Sequence, residues 1–220
     1  PAQGGGAIEV WRVTDEPAIR HWANYHNTQS WSPSGRYLCY TRYAHDGRRY
    51  GDALDEVHVY DAHKDEGRLV ERGFFPRWGR TGDRLYYVRL VEARGGRGPW
   101  EPEVRCLDLD GGESRTLATG VENLGEVTHD GRWLMGAKRF RGQTPEFVVV
   151  RIGLPGGEVE ELRGVEGAQL LPNPRHPVFF TRQDHKSQAF GATRWFFDLE
   201  GKGRRMAVPT VQQCHMSWLG

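Results

Sequence analysis

No stretch of the 220 residues comes near the roughly 20 consecutive apolar residues that a membrane-crossing helix needs. An excess of one charge is also missing. Thirty Lys and Arg stand against 29 Asp and Glu, so the chain as a whole offers neither nucleic acid nor an anionic membrane surface a field to follow. Cysteine is scarce: Cys39, Cys106 and Cys214 are odd in number, lack CxxC spacing and fall on or beside strand-like stretches. Buried free thiols are therefore expected, with one disulfide or one reactive thiol as the alternatives, and no paired-Cys zinc site. There is no GxSxG nucleophile elbow and no Gly-rich strand-to-helix loop for a phosphate, since Gly4-Gly5-Gly6 stands alone. No amphipathic helix of useful length is legible. The first residue is Pro1, not Met, which fits a trimmed chain and a mature secreted protein equally. The compartment stays open, with a periplasmic or secreted setting preferred to the cytoplasm.

What the chain has instead is repetition, on a composition of 37% hydrophobic residues and eight Trp that can bury a sizeable core. An inner apolar residue, a polar turn, an apolar strand, a second strand ending near an acid and a shorter strand recur in that order. Trp31, Trp78, Val127, Leu171 and Trp218 align as the inner position, at intervals of 44–49 residues. That period is the signature of a β-propeller, all-β, with four-stranded antiparallel blades. Blades are expected at about 27–73, 74–120, 121–165 and 166–210, with a fifth beginning at 211–220. In the first, Asn27 to Ser32 reads as the inner strand and Asp15 to His26 as a long link. Ile8 to Thr14 reads as the outer strand that closes the last blade. An open blade exposes apolar face and strand edge, so the remainder of the ring is expected from a longer chain or another subunit.

Ser30-Trp31-Ser32-Pro33-Ser34-Gly35-Arg36-Tyr37-Leu38 resembles the WSPDGxxL unit of TolB-type propeller repeats. Arg77 to Leu85 and Thr128 to Leu134 are similar. TolB itself, the propeller domains of prolyl oligopeptidases and the oligogalacturonate lyases all carry such repeats, so the resemblance implies the fold before any activity. Within that group, Gln212-Gln213-Cys214-His215 resembles part of the lyase signature, in which His and Gln at inner strands hold a divalent cation such as Mn. The lyases place a second His two positions from the first, whereas here Gln213 and Ser217 flank His215. The resemblance implies His26, Gln212 and His215 as metal ligands.

In a propeller, the links from outer to next inner strand and from second to third strand share one face, opposite the WSPDG-type turns. That sorting gathers Tyr50, Arg139, Arg141, Arg182, His185, Lys186 and Arg194 around a channel mouth flanked by His26 and His215. Arginine pairs bidentately with a carboxylate and acidifies the adjacent C–H, and a neutral His can take that proton. An acidic oligosaccharide is therefore the expected ligand, gripped by Arg139, Arg141, Lys186, Arg194 and Tyr50. His185 or His215 would act as base in a β-elimination and Arg182 would stabilise the enolate. Trp22, Tyr25, Trp100 and Phe190 are loop aromatics suited to stacking on sugar rings or to capping blade packing. The competing readings are a non-catalytic module binding a protein or glycan, and the gating propeller of a peptidase. His58 and His129 read as a strand-surface and a turn residue.

Overall fold

The computed structural model describes residues 12–24, 28–44, 51–93, 100–141, 145–167, 170–184, 192–203, 205–206 and 218. The described residues form four antiparallel sheets, each of four strands in chain order. Sheet 1 holds β1 (His21–Trp22), β2 (Tyr37–Arg42), β3 (Glu56–Asp61) and β4 (Glu66–Arg72). Sheet 2 holds β5 (Phe74–Trp78), β6 (Arg84–Glu92), β7 (Trp100–Asp108) and β8 (Arg115–Thr119). Sheet 3 holds β9 (Asn123–Val127), β10 (Trp133–Arg141), β11 (Pro145–Gly153) and β12 (Val159–Glu166). Sheet 4 holds β13 (Leu170–Pro172), β14 (Val178–Asp184), β15 (Ala192–Asp198) and β16 (Arg205–Met206). The fold is a β-propeller.

Strand alternation decides which residues enter the seams between sheets. In β3, Val57 and Val59 are fully buried while Glu56 and His58 are half-buried on the other face. The even-numbered face of β2 and β3 looks away from sheet 2, and the odd-numbered face, with Tyr37, Cys39, Val57 and Val59, meets Trp78, Leu85 and Tyr87 of sheet 2. A second cluster joins sheets 2 and 3 around Val88, Val104, Leu134 and Ile152, and a third joins sheets 3 and 4 around Met135, Val149, Phe179 and Phe197. Cys39 and Cys106 are buried free thiols, and burial pushes the Cys39 thiol up to about 12.

One hydrogen bond recurs at the start of every polar turn and fixes the repeat register. The N–H of Ser32 donates to Tyr37 C=O (2.7 Å), Gly79 to Arg84 (2.7 Å), Thr128 to Trp133 (2.8 Å) and Asn173 to Val178 (2.8 Å). The inner positions are therefore Trp31, Trp78, Val127 and Pro172. Leu171, the residue expected there, is displaced by one and lies on the opposite face of its strand. Pro172 pairs with Phe179, as Trp78 pairs with Leu85 and Val127 with Leu134.

The first inner strand also departs from expectation. It is split: Trp31 makes an isolated bridge to Leu38, and β1, inside the stretch read as a link, pairs with the far end of β2. Asn27 lies outside the described residues. Of the strand expected at Ile8 to Thr14, residues 12–14 are irregular and the rest lies outside the described residues.

The seams are pegged by side chains that reach one sheet along the ring. Trp78 Nε1–H donates to Ser30 C=O (2.8 Å), and Trp218 Nε1–H donates to Leu171 C=O (2.9 Å). Both acceptors immediately precede the inner position of the sheet before. Trp218 rests on Phe180 and Phe196, at 5.4 and 5.6 Å between ring centroids, the register positions that Cys39 and Val59 hold beneath Trp78. Trp218 thus repeats the role of Trp78 one further step round. A longer reach comes from Glu126 on β9, whose carboxylate accepts the N–H of Gln29 at 2.7 Å, spanning from sheet 3 to sheet 1.

Candidate functional site: a cleft between sheets 2 and 3

On the face opposite the polar turns, the described residues enclose a cleft of about 380 Å³, within the size range of small-ligand sites. Its apolar wall is Phe74 and Phe75 at the start of β5, Leu90 on β6, Trp100 on β7 and Phe147 on β11. Its polar wall is Glu122, Asn123 and Arg139. These residues come from the outer-to-inner links and from the ends of the second-to-third-strand hairpins, the elements expected to share a face.

Local backbone explains why two Phe side chains stand there. Gly73 runs so close to β6 that a Cβ on it would lie 2.5 Å from Val88 C=O, so no other residue fits. Directly after it the chain bulges between Phe74 and Arg77, and Phe75 adopts φ of 54°. A bulky residue in the left-handed region is strained, and such strain is commonly held at ligand-binding positions. The bulge is held from below by Arg77. Its guanidinium donates to the carbonyls of Leu124 (3.0 Å), Gly125 (3.0 Å) and Pro76 (2.9 Å) and to Asn24 Oδ1 (3.0 Å), tying β5 and β9 to the segment that follows β1. Burial pushes its pKa down, offset in part by the charge of Glu126. Asp55, almost fully buried, accepts the N–H of Ala44 (3.0 Å) and of Asp52 (2.9 Å) and fixes the β2–β3 connection beside the cleft. Burial raises its pKa, and those backbone donors counter the rise.

Arg139 is the cation of the cleft. Its guanidinium lies 5.6 Å over the Phe147 ring, and Nε is 3.5 Å from Glu122 Oε2. Half of its side chain is exposed, so the donors not committed to Glu122 remain open to a ligand. Trp100, 43% exposed, offers a ring face on the other side. The arrangement can stack a flat apolar surface and grip an oxyanion at once. Among the described residues, no group of three His, Cys, Asp or Glu is placed to hold a metal ion.

The structure places Arg139 and Trp100 on the same cleft. Arg141 ends β10 opposite Pro145, and Arg182 and Arg194 are direct register partners on β14 and β15; the side chains of these three lie outside the described part. Tyr50, His26, His185, Lys186, Gln212 and His215 lie outside the described residues, as does Phe190. His58 is half-buried, stacks on Tyr40 at 5.3 Å and meets Glu56 at 3.0 Å, a strand-face residue as read. Sequence reasoning missed Phe75, Phe147, Glu122 and Asn123. The pair Phe74-Phe75 directly after a glycine in an outer-to-inner link was the available signal.

No protein family profile and no curated protein matches the sequence. Solved structures do match. TolB from Acinetobacter baumannii aligns over 83% of this chain and 43% of its own, with 14% identity and a TM-score of 0.57. An oligogalacturonate lyase from Vibrio parahaemolyticus aligns over 88% and 54%, with 14% identity and a TM-score of 0.58. The β-propeller domain of the Trilobed protease from Pyrococcus furiosus aligns over 80% and 55%, with 17% identity and a TM-score of 0.58. The chain spans about half the length of these proteins, and the likeness is one of fold, the β-propeller.

Proposed function

We propose that this propeller binds an acidic oligosaccharide in the cleft between sheets 2 and 3. The observation that carries the reading is the pairing of Arg139 with Trp100, Phe75 and Phe147 on one cleft wall to the other. A sugar ring stacks on the exposed Trp100 face while its carboxylate takes the open donors of Arg139, exchanging with the long contact to Glu122. A periplasmic or secreted setting accords with a glycan ligand.

The finer form of the reading is catalytic. His185 or His215 removes the proton beside the uronate carboxylate, Arg182 pairs with the enolate oxygen that develops, and the C4–O bond breaks with its electrons and a proton going to the leaving sugar. The product carries a new C4=C5 double bond. A divalent cation held by His26, Gln212 and His215 would neutralise the carboxylate and so acidify the C–H. Arg141, Arg194, Lys186 and Tyr50 would hold further sugar units. Likeness in fold to an oligogalacturonate lyase supports this form alongside the non-catalytic one.

Calorimetric titration with an oligogalacturonide and with its methyl-esterified counterpart tests the binding reading. The acid should bind more tightly, and less so as salt rises. Arg139→Ala should cost about 1.5–3 kcal/mol of binding, the range for a charge-assisted hydrogen bond, and Trp100→Ala should weaken both ligands. Equal binding of acid and ester, or an unchanged Arg139→Ala variant, overturns it. Ultraviolet absorbance of unsaturated product, with divalent metal supplied, separates lyase from binding module.

A further inference from the structure

At the opposite end of sheets 2 and 3, among the polar turns, the described residues enclose a second pocket of about 210 Å³. The β5–β6 turn and the first residue of β6 supply Gly79, Arg80, Thr81 and Arg84, and Gly131 comes from the β9–β10 turn. Tyr86 and Val127, both buried, form its floor, and Leu154 and Pro155 after β11 give it an apolar side. Both charged side chains in this lining are arginines, and no carboxylate joins them.

Arg80 has more donors than partners. Its Nε–H donates to Val127 C=O (2.9 Å), which fixes the guanidinium against β9. Its Nη2 is buried and makes no hydrogen bond, and the Glu126 carboxylate stands off at 3.9 Å. A buried charged donor left unmade carries a desolvation cost that an incoming acceptor recovers. Arg84 reaches the pocket from the other side. It donates to the Tyr86 hydroxyl and, over a long 3.4 Å, to Asp108, with nearly half of its side chain exposed. Burial pushes the Tyr86 hydroxyl up to about 12, so that partner is neutral at physiological pH and leaves the arginine's charge uncancelled. Arg115 braces the apolar side by donating to Pro155 C=O (3.0 Å), and its charge reaches Tyr86 as well. Three guanidinium groups, of Arg80, Arg84 and Arg115, thus face two loosely held carboxylates, of Glu126 and Asp108. The balance is cationic.

We infer that this turn-face pocket binds a tetrahedral oxyanion, phosphate or sulfate, between Arg80 and Arg84. A dianion answers both guanidinium groups at once, and each planar fork offers parallel N–H donors to its oxygens, whereas a carboxylate would satisfy only one of them. The long contact from Arg84 to Asp108 is the one that the ligand exchanges. Leu154 and Pro155 leave an apolar surface for the organic part of an ester. The pocket lies at the other end of the sheets from the Arg139 cleft and does not rest on what that cleft binds.

Thermal unfolding of the 220-residue chain in sodium phosphate, sodium sulfate or sodium acetate, each against sodium chloride at equal ionic strength, tests it. Phosphate or sulfate should raise the melting temperature saturably in the native chain and in Arg163→Gln, a control on an exposed position of β12. Arg84→Gln, on an exposed side chain, should fold and need about tenfold more anion for half the rise, the lower end for losing a charge-assisted hydrogen bond. If Arg84→Gln does not fold, Arg84→Lys, which keeps the charge without the fork, should shift the midpoint in the same direction. A rise with phosphate alone assigns a phosphate ester, one with sulfate alone a sulfate ester, and one with both the oxyanion they share. Acetate acting at the same midpoint, no saturable rise in the native chain, or one midpoint across all variants overturns the site.

Discussion

The seam between sheets 1 and 2 and the front face of sheet 1 are built from the same residues in different surroundings. In the seam, Trp78 is 5% exposed; on the front face its counterpart Trp31 is 42% exposed. Tyr87, Arg89, Arg105 and Glu103 of sheet 2 hold the register positions of Tyr40, Arg42, His58 and Glu56 of sheet 1. In the seam, Tyr87 Oη–H donates to Glu71 of the sheet before at 2.6 Å, Arg89 bridges Glu71 and Glu103, and Arg105 lies 3.4 Å from Glu71. On the front face, Arg42 likewise bridges two acids, Glu56 at 3.3 Å and Glu16 at 2.8 Å, with Glu16 supplied by the segment that precedes sheet 1. Each sheet thus carries its half of a seam in its own sequence, and Glu16 stands where a neighbouring sheet would place its acid. The polar half of that face is satisfied. The apolar half, Trp31 with Leu69 at 52% exposure, is not covered by the described residues.

The strongest way to break the comparison is to truncate the two tryptophans. Trp78→Ala should cost about 3–5 kcal/mol in denaturant unfolding, the range for a large aromatic removed from a packed interior, whereas Trp31→Ala should stay within about 1 kcal/mol. Similar losses at both positions would mean that Trp31 is packed in solution. A second test reads association. An exposed apolar sheet face recruits partners, so light scattering of the isolated chain should rise with concentration, and Trp31→Gln with Leu69→Gln should suppress the rise. A native chain that stays monomeric throughout would show that the Glu16 segment covers the face well enough.

The smallest effect concerns pH. Partial burial alone would raise the pKa of Glu71, but the Tyr87 hydroxyl and the charges of Arg105 and Arg89 outweigh it and hold the group below its ordinary 4.5. A carboxylate depressed in the folded state contributes stability that is complete above its unfolded value and is lost as pH falls through the folded one. Stability should therefore decline below pH 4.5, and Glu71→Gln should flatten that decline while costing about 1–3 kcal/mol at neutral pH for the unpaired seam donors. Glu16→Gln, on the open face, should cost less. Parallel pH profiles for native and Glu71→Gln chains would remove Glu71 from the account.

The repeat and its polar turns were legible because period, turn chemistry and alternation agree at Trp31, Trp78 and Val127. They disagree at Leu171-Pro172. There apolarity alone favoured Leu171, and only the turn hydrogen bond of Asn173 places Pro172 at the inner position. The split first inner strand was hidden for a related reason: β1 pairs with residues about 20 positions later, and its two residues carry no alternation to read. Of the cleft, Arg139 was legible as a cation on this face from the order of links and hairpins, and Trp100 as a loop aromatic. Phe75 was not, since its left-handed backbone follows from how close Gly73 passes to β6.

The hydrogen bond from Gln29 N–H to Glu126 acts as a tie rod across the arc. It skips sheet 2 entirely, so the curvature of the inner wall is set by three sheets acting together and not by two seams acting in turn. Any change that swings sheet 3 outward must stretch that tie as well as open a seam, and the angle at which later sheets leave the arc is thereby fixed at its beginning.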